Sequence, residues 1–205
     1  MKYCSSTDSY RGIVGFYGGI DLMNKQPEVC ERTKANLLEA FWKVYNKNTL
    51  YKVRIKEITD KAGYNRSTFY QYFSDINDIL EYGENILINE ILQHLESTME
   101  NLNSKDIIAK TAEAYEKYGY YLSKLLGPTG DPSFAEKYKN AIKPLLFKKF
   151  NLEEDDLRVD VLCEYCLGAI VSSITYWHNN KTFSAEELAT LLHNLITYGM
   201  FSVLK

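Results

Sequence analysis

The chain holds little of what interrupts a helix. Its 205 residues include only 4 prolines and 11 glycines, and runs in which apolar and polar residues alternate are few, so sheet has little to build on. No apolar run nears the roughly 20 residues needed to cross a bilayer, which excludes a membrane-spanning chain. Cysteine is scarce too, with Cys4, Cys30, Cys163 and Cys166 making up the set of 4. Scattered thiols of this kind argue against a disulfide framework and fit a reduced, cytoplasmic chain. Cys163 and Cys166 form a single C-x-x-C pair, and no second Cys or His pair completes the four donors zinc requires. On an apolar helix the two thiols are expected to be neighbours on one buried face. The opening MKYCSSTDSYRGIVGFYGGIDL has no basic region of the kind that starts an export signal and matches no helical period. Residues 1–22 are therefore expected to be a disordered extension, or the product of an upstream start.

Catalytic signatures are missing as well. No glycine-rich loop follows a strand to cradle phosphate, and no serine, histidine and acid present themselves as a trio. His94 and His193 each stand alone on a predicted helix and read as surface or interface residues. An enzyme is not expected, and no cofactor or metal is implied.

What is present is helical periodicity. With 45% hydrophobic and 25% charged residues, the chain has the composition of an ordinary globular protein able to bury a core. Pro27 suits a first helical turn, and Leu37, Ala40, Phe41 and Val44 follow at helical spacing, predicting a helix over about 28–46. Ile55, Ile58 and Ala62 share one side of a short second helix that stops at Gly63. Asn65 is a good cap for a third, with Phe69 and Phe73 pointing inward, and Ser74 can cap a fourth, reaching about Met99. A tyrosine-rich helix to about Leu126 follows, then a turn at Gly127–Gly130. Asp131 and Pro132 read as cap and first residue of the next helix, which Pro144 should kink or break. A long apolar helix spans about 153–178, the Asn179-Asn180-Lys181 stretch turns the chain, and Ser184 with Glu187 makes a capping box for the last helix. The expected class is all-α.

Charge is divided along the chain. Residues 23–74 hold 10 Lys+Arg against 5 Asp+Glu, while residues 75–205 hold 12 against 20. A basic amino-terminal part on an acidic body suggests that one end meets a polyanion. The stretch KEITDKAGYNRSTFYQYFSDINDIL, residues 56–80, says how. A helix, a glycine stop and a second helix rich in short polar side chains make a helix-turn-helix, in which the first helix braces the second against a major groove. Arg66 suits a guanine O6/N7 pair, Ser67 and Thr68 can read or clamp, and Gln71 can address adenine. Tyr70 and Tyr72, with Arg54 at the entry to the second helix, suit phosphate contacts that fix register.

From about Thr33 to Leu80 the sequence resembles the tetracycline-repressor (TetR/AcrR) family. It has that family's hydrophobic entry, I-x-x-x-A-G, hydrophobic residue, cap and T-[LF]-Y-x-[YH]-F pattern, here VRIKEITDKAGYNRSTFYQYF. A W-x(n)-S-x-E-E-L ending, Trp177 through Leu188, looks like one carboxy-terminal subgroup. The resemblance implies a helical homodimer that regulates transcription, usually as a repressor, with a helix-turn-helix domain and a helical domain for ligand and dimerisation. It also places Arg66, Ser67, Thr68 and Gln71 at the groove and Tyr70 and Tyr72 on phosphates; with the cap Asn65 and Arg54 these make up the expected DNA-binding set. One departure is Ile76, behind Asp75, where the family usually has a basic residue. Loss of that anchor leaves room for a co-activator that works through a partner regulator.

The expected division is thus an extension at 1–22, a DNA-binding domain at 23–74, and a regulatory and dimerisation domain at 75–205. The partners implied are an operator in duplex DNA, a second copy joined through the two carboxy-terminal helices, and a small-molecule effector, with no membrane. Tyr115, Tyr118, Tyr120, Tyr121 and Tyr138, with Trp177 and His178, can line an effector pocket, or pack as core rings with only their hydroxyls wet.

Overall fold

The computed structural model describes residues 27–99, 104–153, 156–180 and 182–200; the stretch expected to be an extension lies outside them. Among the described residues all regular structure is helical, as periodicity requires. The elements are α1 (Pro27–Tyr45), α2 (Ile55–Ala62), α3 (Arg66–Tyr70), α4 (Ile76–Met99), α5 (Ser104–Leu125), α6 (Phe134–Phe150), α7 (Leu157–Asn180) and α8 (Ala185–Asn194). A 3-10 turn, Leu50–Lys52, joins α1 to α2, and α8 runs on as a π-helical segment, Leu195–Met200. No helix among the described residues is long and apolar enough to cross a membrane.

Packing divides the chain into two compact units between Gly83 and Glu84, inside α4. The division expected after residue 74 coincides instead with the start of that helix. The first turns of α4 belong to the first unit because Ile79 and Leu80 are buried there. At Gly83 a Cβ would stand 2.7 Å from Leu38 Cδ1 and 3.0 Å from Trp42 Cζ2, so only glycine lets α4 lie this close to α1. The core of this unit is Leu37, Phe41 and Tyr45 from α1, Ile58 from α2, and the inward Phe69 and Phe73, whose rings meet at 5.6 Å.

Two helix starts differ from expectation. Asp75, not Ser74, caps α4: Asp75 Oδ1 accepts from the N–H groups of Asn77 and Asp78 at 2.7 and 3.0 Å, while Ser74 donates its own N–H to Asp78. Either side chain has a suitable oxygen, and the carboxylate adds attraction to the helix's positive end. Helix α6 begins at Phe134, not at Pro132, because Asp131 Oδ1 ties up the Ser133 N–H in a turn. Pro144 then sits inside α6 without ending it. Exposed at the surface, its ring costs a backbone bond that water can replace.

In the second unit α5 packs on both α7 and α8, and α6 packs on α7. Leu122, Leu125, Phe134, Leu167, Ile174 and Leu188 fill the centre. The capping box at α8 forms as expected, with Ser184 Oγ accepting from the Glu187 N–H at 3.1 Å and Glu187 Oε2 accepting from the Ser184 N–H at 2.8 Å. Lys143 reaches Asp160 at 2.7 Å, tying α6 to α7. The α7 helix carries two apolar faces. Val159, Cys163, Cys166, Leu167, Ile174 and Trp177 are buried, whereas Leu157, Val161, Tyr165 and Tyr176 are each more than half exposed. Cys163 and Cys166 share the inner face, and burial pushes the Cys166 thiol up to about 12, leaving it un-ionised at neutral pH.

One acid lies in this unit's interior. Glu84 is fully buried with Oε2 at 2.8 Å from Lys137 Nζ, and its Oε1 has no hydrogen-bond partner. Burial outweighs the lysine and lifts Glu84 from 4.5 to about 7. The folded protein therefore holds this proton where the unfolded chain has released it, so stability should fall as pH rises from about 4.5 through 7. Urea titrations from pH 4.5 to 8 are expected to show that decline in the wild type and a flatter profile in Glu84→Gln.

Candidate nucleic-acid interface and effector cavity

Gly63 sets the angle between α2 and α3. Its φ of 73° and ψ of 28° lie in the left-handed region, and the Tyr64 N–H returns to Thr59 O at 2.9 Å to close the helix end. Nothing lies within 4 Å of where a Cβ would stand. Gly63→Ala should therefore cost only the backbone term, about 1 to 2 kcal/mol, read as a lower urea midpoint at unchanged m-value.

Asn65 then starts α3. Its Oδ1 accepts from the Thr68 N–H at 2.8 Å, the Thr68 hydroxyl at 2.9 Å and the Ser67 hydroxyl at 2.6 Å. This oxygen holds the leading tip of the helix in one shape before any partner arrives. Behind it Phe69 is anchored in the core. Asn65, Arg66, Ser67, Tyr70 and Gln71 are exposed, and Thr68 and Tyr72 are half-buried. The helix ends at Tyr70, and Gln71 and Tyr72 continue as a turn, with the Tyr72 N–H donating to Phe69 O at 3.0 Å. The polar residues read as one helix thus occupy a helix tip and its following turn.

Exposed cations flank the pair. Arg54 precedes α2, its guanidinium donating to Tyr51 O at 2.9 Å, with Lys52, Lys56 and Lys61 exposed nearby in sequence. Tyr51 escaped the sequence reading. It is 72% exposed on the 3-10 turn, with Lys52 Nζ 5.8 Å from its ring centre. Its place beside two basic residues, Lys52 and Arg54, in LYKVR was the available signal. Ile76 is half-buried, and the Asp75 carboxylate beside it is engaged in capping.

The second unit contains a cavity of about 130 Å³. Tyr115, Tyr118 and Tyr138 line it, among apolar side chains of α4 to α8 and the π-helical segment. Tyr121 and Trp177 are not on that lining. The Trp177 indole is buried and donates to Phe183 O at 2.7 Å, and Tyr121 stacks edge-on against Tyr120 at 5.5 Å, with His178 close by Tyr120. Burial lifts the Tyr138 hydroxyl to about 12 and pushes Tyr115 up as well, so both stay neutral donors. His193, expected at a surface or interface, lines this cavity. Its spacing of four from Ala189 and one from Leu192, both buried, was the legible sign.

Comparison with known proteins agrees with this architecture. Residues 34–82 match the family model for bacterial regulatory proteins of the tetR family, and residues 102–198 match that for a transcriptional regulator C-terminal region. No curated protein sequence matches the chain. A tetR-family transcriptional regulator from Streptomyces coelicolor superposes with a TM-score of 0.62 at 16% identity, over 80% of this chain and 78% of that one. The fatty acid degradation regulator FadR from Bacillus halodurans gives 0.63 at 15% identity, over 84% and 95%. FadR from Bacillus subtilis, solved with stearoyl-CoA, gives 0.59 at 16% identity, over 80% and 98%. At these identities the likeness is one of fold, but the two sequence models together span most of the chain, α2 and α3 included. The protein belongs to the tetR family of DNA-binding transcriptional regulators.

Proposed function

We propose that the protein is a cytoplasmic homodimeric repressor whose hold on an operator is set by a small molecule in the second unit. The reading rests above all on the α3 tip, where Arg66 and Gln71 are exposed on a helix start fixed by Asn65 and braced by Phe69. Arg54, Tyr70 and Tyr72 are suited to the phosphates on either side. Dimerisation is supported by the outer face of α7 and by Leu191, Leu195 and Tyr198, each more than half exposed, on the segment that follows. Large apolar side chains left exposed on both carboxy-terminal helices are of the kind that a protein interface buries. A two-fold pair then presents two α3 tips to half-sites about 34 to 36 Å apart. An effector acts by binding one dimer geometry more tightly than the other.

Ile76 favours a second reading, in which the protein works through a partner regulator, because a phosphate anchor is replaced by an aliphatic side chain. Fluorescence anisotropy of the pure protein on DNA from upstream of its own gene decides between them. Direct operator binding should weaken by about 10³-fold or more between 50 and 200 mM salt as counterions are released. Binding that appears only when a second protein is added would establish the partner-dependent reading instead.

A further inference from the structure

The effector reading above leaves the chemistry of the ligand open, and the lining of the cavity narrows it. The walls are mostly apolar or phenolic, with Ile91, Ile142 and Leu192 among them beside the hydroxyls of Thr111 and Thr197, and the lining includes no aspartate or glutamate. Two nitrogen-bearing side chains break the pattern. Lys149 comes from the end of α6 and His193 from the end of α8. His193 Nε2 is buried with no hydrogen-bond partner. Burial, and then the charge of Lys149, hold His193 below its ordinary value, so the two groups share one electrostatic neighbourhood with no acid of the lining between them. A buried polar nitrogen left unpaired costs free energy unless something fills the site. The adjoining π-helical segment, which adds Ile196 and Thr197 to the lining, is a rare geometry found often at functional sites.

We propose that the cavity binds a small monocarboxylate, its apolar body among the tyrosines and aliphatic side chains and its carboxylate between Lys149 Nζ and His193 Nε2. A cavity of about 150 Å³ accommodates benzene, so 130 Å³ fits a body of about that size. It falls short of the ~300 Å³ at which sites for drug-sized molecules begin. The neutral hydroxyls of Tyr115 and Tyr138 add donors along the wall. This inference depends on the effector-controlled reading, but its test does not involve DNA.

The test is calorimetric titration of the full chain at pH 7 with benzoate and hexanoate, and with benzamide and hexanamide as neutral counterparts. The acids are expected to bind at least about tenfold more tightly than the amides, the difference that a charge-assisted hydrogen bond carries. Lys149→Met and His193→Leu should each bring the affinity of the acids close to that of the amides. Lys149 is exposed, so that variant disturbs no core packing, and circular dichroism checks both. Amides that bind as well as acids, or titrations in which none of the four probes binds, would overturn the assignment. So would a Lys149→Met variant that keeps the acid preference. Anisotropy on operator DNA without any probe, run on the same proteins, reports on the regulator reading separately.

Discussion

Arg66→Ala should weaken operator binding by about 5- to 150-fold per half-site and flatten the preference at one base pair of each. The range is that of a bidentate contact between a guanidinium and a guanine edge, about 1 to 3 kcal/mol. Arg66 is the first residue of α3 and is exposed, so its removal disturbs nothing in the fold, and thermal unfolding should be unchanged. Anisotropy against the operator and against single-base variants of it separates a reading role from a positioning one. A reading arginine loses affinity for the preferred sequence and little for the others, whereas a phosphate contact loses both alike and reduces the salt slope by about one. Tyr72→Phe belongs to the second kind. It should weaken binding to all sequences alike, because a phenolic hydroxyl on a phosphate fixes register without carrying sequence information. Unchanged binding of every DNA by the two substitutions combined would remove α3 as the reading element.

Glutamate at both Val161 and Leu195 should separate the dimer. Val161 is 68% exposed and Leu195 53% exposed, so a charge at either costs the monomer little, while a paired face would bury four like charges per dimer. Light scattering after size exclusion should shift from the mass of two chains to that of one. Operator affinity should fall in consequence by about 10²- to 10⁴-fold, because the second half-site is then no longer engaged at high effective concentration. Half-site affinity and the urea profile of each unit should hold. A protein that stays dimeric with both glutamates places the interface elsewhere.

Much of the fold is legible in the sequence, for reasons that differ element by element. Gly63 announced the end of α2 because few residues other than glycine take a positive φ, and Asn65 and Ser184 with Glu187 announced helix starts because their oxygens reach back to free N–H groups. Phe69 and Phe73 were placed by spacing alone. Where two adjacent residues could serve equally, local sequence could not choose. Ser74 and Asp75 both cap well, and which oxygen engages depends on the angle at which the chain enters α4. The tyrosines posed a harder question. Tyr115, Tyr118 and Tyr138 face the cavity while Tyr121 does not, a difference of helix rotation that tertiary packing sets. The apolar stripe of the last helix divided as well, Leu188 and Leu192 inward and Leu191 and Leu195 outward, since a helix apolar on two sides carries two contacts.

The three bonds to Asn65 Oδ1 have a consequence for what the α3 tip can recognise. Both hydroxyl hydrogens, from Ser67 and from Thr68, point back to that oxygen. What those side chains turn outward are lone pairs. Such an edge welcomes the amino groups of adenine and cytosine and is repelled by the carbonyl oxygens of guanine and thymine and by phosphate. Arg66, which can only donate, has the opposite polarity and suits the acceptors of guanine. The tip is thus a short alternating pattern of acceptor and donor, fixed by one asparagine, and if it is the reading element, Asn65→Ala should alter preference at the bases facing Ser67 and Thr68 more than at the base facing Arg66.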